Sequence, residues 1–180
     1  MRTRYWVAIG ALLILLAVGG LILAKNLSTP TETTANSETE DETYKLIKAC
    51  QVYTFSKAQE ILGPNTKQGD DTPPTKQGKT LVSTCSYTNG ATEAKDLQVS
   101  TVLLRCSTDD SSKEGFRAER PTGAIALTGF GDDAYWDPTL AQLHVLKGHN
   151  WAIITSGPST IKERSIDQAK EVAALIVGEL

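Results

Sequence analysis

The chain has 180 residues, three cysteines, 40% hydrophobic residues and a formal net charge of −3, which suits one ordinary domain plus extensions. Charge is segregated along it: +3 over residues 1–25, −5 over 26–43 and −1 over 44–180. The near-neutral remainder lacks the strongly basic footprint of a nucleic-acid binder.

Residues 5–24, YWVAIGALLILLAVGGLILA, form an uncharged stretch of twenty. As a helix it would span about 30 Å, the thickness of a bilayer's hydrocarbon core. Arg2 and Arg4 precede it, Tyr5 and Trp6 sit at the position of an interfacial belt, and acidic sequence follows Lys25. This pattern predicts a cytoplasmic N-terminus (1–4), a transmembrane signal anchor (5–24) and an exported remainder. A cleaved signal peptide is the rival, but its apolar region is shorter, about 7–15 residues, and Ile22 spoils the small-residue cleavage pattern. The next segment, 25–43, is rich in Thr, Ser and Glu and has Leu27 as its one large apolar residue. It predicts a solvated spacer. Asn26-Leu27-Ser28 matches a glycosylation sequon, read as chance so close to the membrane.

Composition changes at Tyr44, where a domain over 44–180 begins. YKLIKACQVYTF predicts a helical turn leading into an extended piece, and SKAQEILG a short helix capped by Ser56 and Gln59 and ended by Gly63. PNTKQGDDTPPTKQGKT then reads as a long polar loop. Residues 81–88 and 97–106 alternate as the strands of an antiparallel hairpin. DDSSKEGFRAER predicts a surface helix ending before Pro121. A meander follows, with strands near 124–128, 132–136, 140–147 and 151–156 and a KGHN turn joining the last two. SIDQAKEVAALIVGEL is the clearest helix, with a Ser165/Gln168 capping box and an apolar face of Ile166, Ala169, Val172, Ala173 and Ile176. The expected class is α+β: an antiparallel sheet with N-terminal and C-terminal helices packed on it.

No element carries a recognisable reaction. His144 falls in a predicted strand and His149 in a turn, without a partner at metal-ligand spacing, and no nucleophile motif occurs. In GFGDDAYW (129–136), glycine and aspartate are routine turn residues, so Asp132 and Asp133 read as structural rather than as cation ligands. Tyr135, Trp136 and Trp151 cluster near the meander, where they would line an apolar ligand cleft between sheet and helix or simply fill the core.

ACQVYTFSKAQEILG, the CSY of the first strand, GFGDDAYW and the closing amphipathic helix together resemble the LpqN-like and PsbP-like exported proteins and lipoproteins of bacterial envelopes, over residues 44–180. The resemblance implies an α/β/α sandwich and a Cys50–Cys85 disulfide. It supplies no catalytic residues, and the membrane span with its spacer departs from the lipid-modified cysteine of many relatives. Three cysteines allow three pairings. A turn centred near 92–93 would set Cys85 opposite 99–101, away from Cys106, which disfavours the Cys85–Cys106 rival. Cys106 is then a buried thiol or an intermolecular link. The chain thus reads as a single-pass cell-membrane protein with an extracytoplasmic, non-catalytic binding or interaction module, needing no cofactor or metal. Its partner would be an envelope protein, a polymer or an apolar ligand. The alternatives are an accessory or structural subunit of an envelope complex, or a hydrolase without a recognisable motif.

Overall fold

The computed structural model describes residues 46–180. The predicted N-terminus (1–4), membrane span (5–24) and spacer (25–43) lie outside the described residues. Among the described residues no helix is long and apolar enough to cross a membrane.

A seven-stranded, fully antiparallel sheet organises the domain, in the order β1-β2-β3-β7-β6-β5-β4. Its strands are β1 (Lys67–Gln77), β2 (Thr80–Thr88), β3 (Gln98–Ser107), β4 (Ile125–Leu127), β5 (Asp133–Asp137), β6 (Gln142–Lys147) and β7 (Asn150–Pro158). Four α-helices accompany it among the described residues, α1 (Ala49–Val52), α2 (Phe55–Leu62), α3 (Ser111–Ala118) and α4 (Ile166–Ile176), with a 3-10 turn at Ile161–Glu163. The chain builds β1–β3 as one meander, crosses by α3, and builds β4–β7 as a second that joins through β3 and β7. The architecture is therefore α+β, as the residue pattern predicts.

Side chains alternate across the sheet, so strands β3, β5, β6 and β7 feed two cores. On one face Val102, Leu104, Cys106, Leu143, Val145, Ala152 and Ile154 pack with Ala169, Val172, Ala173 and Ile176 of α4 and with Val52, Tyr53 and Ala58 around α1 and α2. On the other, Tyr135, Leu146, Trp151 and Ile153 pack against Phe116 of α3. The predicted surface helix thus buries a full aromatic ring.

The polar segment predicted as a long loop is the edge strand β1. Ten of its eleven residues are exposed, so it has no apolar alternation to reveal it. Its register slips between Gln68 and Asp71 and again between Thr72 and Thr75. Pro73 and Pro74 fall in the second irregularity, where missing N–H groups interrupt no regular ladder. The second helix starts two residues earlier than its predicted Ser56 cap: Thr54 is the N-cap and accepts from the Lys57 N–H. The cap of α4 is as expected, with Ser165 accepting from the Gln168 N–H.

Candidate functional site

The predicted site residues separate into three places. Cys50 and Cys85 are joined as a disulfide that ties α1 to β2. Cys85 faces Val102 in the hairpin register, while Cys106 faces Leu81, four positions further along. Cys106 is a free, buried thiol that donates to the Ile47 carbonyl at 3.2 Å, and burial pushes its pKa up to about 11. The three aromatics do not share one cleft. Tyr135 and Trp151 belong to the α3 face. Trp136 belongs to the face covered by α4, because neighbouring residues of a strand point to opposite sides.

GFGDDAYW is committed to structure. Gly131 has φ +60° and a Cβ there would lie 2.3 Å from the Leu146 carbonyl oxygen, so only glycine fits. Asp132 accepts from the Gly148 N–H at 2.7 Å, clasping the β6–β7 turn, and Asp133 pairs with Arg120 at 3.3 Å. Among the described residues no group of three His, Cys, Asp or Glu side chains is placed to hold a metal ion.

The strongest constellation lies under α3. Phe116 meets Tyr135 at 5.0 Å and Trp151 at 5.9 Å between ring centroids. Tyr135 stacks on His144 at 4.4 Å. The Trp151 indole N–H donates to His144 Nδ1 at 3.2 Å. Two arginines flank the cluster: Arg105 lies 4.5 Å over the Trp151 ring and Arg120 lies 5.0 Å over Tyr135. Each is neutralised, Arg105 by Glu119 at 2.6 Å and Arg120 by Asp133. Burial pushes His144 down to about 4 and Tyr135, helped by Glu119 and Asp137, up to about 12, so both are neutral at ordinary pH.

Several local features hold α3 there. The Asp109 carboxylate accepts from the Ser111 N–H and hydroxyl and pairs with Lys79 of the β1–β2 turn. These hydrogen bonds, Ser111 first and Lys79 next, lower its pKa. His149 reaches back from the β6–β7 turn to the Asp109 carbonyl. Gly115 lets the helix approach Trp151, since a Cβ there would sit 3.1 Å from the indole ring.

At the flank of α3 opens a cleft of about 320 Å³ lined by Gln77, Thr80, Arg105, Ser111, Glu119 and Trp151. It is polar, with one compensated ion pair and an aromatic inner wall. A second cleft of about 300 Å³ lies between α1 and the Pro73–Pro74 irregularity, beside the disulfide. Sequence reasoning passed over Arg105, Glu119 and the role of His144. The parity of β6 placed His144 opposite Leu143 and Val145 and so hinted at this face, but the contact with α3 had no local signature.

Fold and site define a disulfide-stapled α+β domain with a polar cleft over a buried aromatic–histidine cluster. Comparison with protein-family models, with curated proteins and with solved structures finds no match to this chain.

Proposed function

We propose that residues 46–180 form a non-catalytic binding module held outside the cytoplasmic membrane by the span at 5–24, and that the α3-flank cleft takes a neutral, hydroxyl-rich segment of an envelope polymer. The lining carries this reading. Gln77, Thr80 and Ser111 offer donors and acceptors, the Arg105–Glu119 pair leaves no net charge, and Trp151 backs the cleft. Such a surface exchanges hydrogen bonds with hydroxyl groups and does not favour the apolar ligand expected from three aromatics in one pocket. The Cys50–Cys85 bridge supports the compartment, because disulfides persist outside the reducing cytoplasm. A seven-stranded antiparallel sheet with helices on both faces is compatible with the LpqN-like and PsbP-like resemblance, which stays part of this proposal.

The test is co-sedimentation of the purified full chain with insoluble envelope polysaccharide. Gln77→Ala combined with Ser111→Ala should weaken binding about tenfold, while Lys170→Ala on the remote α4 should leave it unchanged. Absence of binding, or equal loss in both variants, would overturn the reading.

A further inference from the structure

Two buried polar atoms of the α3 cluster have no hydrogen-bond partner among the described residues: His144 Nε2 and Tyr135 Oη. An indole nitrogen only donates, so the His144 Nδ1 that receives the Trp151 N–H carries no proton. The neutral ring therefore holds its proton on Nε2. His144 is a buried N–H donor, and Tyr135 a buried hydroxyl that both donates and accepts. They are cross-strand partners on β5 and β6, 5% and 0% exposed. An unpaired buried polar group is costly: phenylalanine at 135 would present the same ring without that burden, and at 144 the Trp151 N–H requires only the Nδ1 acceptor, which leaves the Nε2–H without a use. Polar residues at two adjacent interior positions call for a partner that the described residues do not supply.

The surrounding charge says what kind. Arg105 is paired with Glu119 and Arg120 with Asp133. Asp137 on the same strand as Tyr135 is occupied by the N–H groups of Thr139 and Leu140. No cationic surplus remains to receive an anion, and a cation would meet an N–H donor. An uncharged hydroxyl oxygen fits both atoms: it accepts from Nε2–H and exchanges a hydrogen bond with Oη.

We infer that the His144–Tyr135 pair binds the hydroxyl oxygen of a guest, either an ordered water or a sugar hydroxyl of the ligand proposed for the adjoining cleft. In the sugar form this inference rests on that proposed function. In the water form it stands independently of it.

Three measurements on the full chain test it. In the unmodified protein, long-range ¹⁵N spectra should place the His144 proton on Nε2 and show it in contact with a water or ligand hydroxyl proton. A proton on Nδ1, or an Nε2–H without such a contact, would overturn the inference. Tyr135→Phe keeps the ring that stacks on His144 and removes only the hydroxyl, so it should speed solvent exchange of the His144 Nε2–H at least fivefold, a coupling that exists because one guest serves both atoms. Unchanged exchange would overturn it. Titration with chitotriose, a neutral oligosaccharide, separates the sources. A tenfold weaker response in Tyr135→Phe assigns the guest to the sugar. An unchanged response, or none in either protein, with coupling retained assigns it to water, and the absence of any response counts against the proposed ligand class alone.

Discussion

Burial of His144 ties the protein's stability to pH through one side chain. Its folded pKa, near 4, lies below the ordinary value of 6.5, so between those values the unfolded chain binds the proton and the folded one does not. Stability contributed by the neutral ring is intact above about pH 6.5 and falls as pH drops toward 4, by about 3 kcal/mol in total. Denaturant unfolding across that range should show this slope, and His144→Phe should flatten it. The glycines of GFGDDAYW give a second test. At Gly131 an alanine meets both a positive φ and the Leu146 carbonyl, whereas at Gly129, with φ +86°, the space is open. Gly131→Ala should cost about 3 kcal/mol or more and Gly129→Ala about 1–2 kcal/mol, the strain of a left-handed residue alone. Calorimetry that found the two equal would remove the close-approach argument. At this scale the sequence was only partly legible. Tyr135 and Trp136 looked like neighbours in one cleft, yet the two-residue period already assigns them to opposite faces.

Elements were legible where an apolar pattern exposed them. The α4 stripe, the alternation of β2 and β3 and the Gly148 turn between β6 and β7 all act locally, and each lies close to its expected place. The edge strand β1 has no buried face, so its pairing with β2 decides its conformation. A clue was present: Gly78-Lys79 joins β1 to β2 across the Gln77↔Thr80 pair, as Gly148-His149 joins β6 to β7 across Lys147↔Asn150. The exposed charges, paired prolines and bulges of β1 also discourage further strands from adding to it. The disulfide works at this scale as well, fastening a four-residue helix that has little stability alone. Closing a loop of 35 residues constrains the unfolded chain by about 3–4 kcal/mol. Cys50→Ala with Cys85→Ala should lower stability by that amount, read as a lower denaturation midpoint.

For the whole molecule, the three cysteines make a reporter of compartment. The charge bias around an uncharged stretch of twenty, which predicts export, lies in residues 1–43, while the disulfide lies in the domain itself. The two are independent and should agree. If the domain is displayed outside the membrane, Cys50 and Cys85 are oxidised in cells and Cys106 remains the single thiol. Cys106 is 1% exposed and its raised pKa suppresses the thiolate, so a heavy maleimide should leave the native chain untagged. Denaturation without reductant should give one adduct, and denaturation after reduction three. Exchanging Arg2 and Arg4 for glutamate and adding arginines after Lys25 should invert the span by the positive-inside rule. In that variant the domain faces the reducing cytoplasm, and all three thiols should be tagged before any reductant is added. One adduct from both chains would show that oxidation does not follow orientation. Three adducts from the unaltered chain, trapped at the moment of lysis, would place the domain on the reducing side and overturn export.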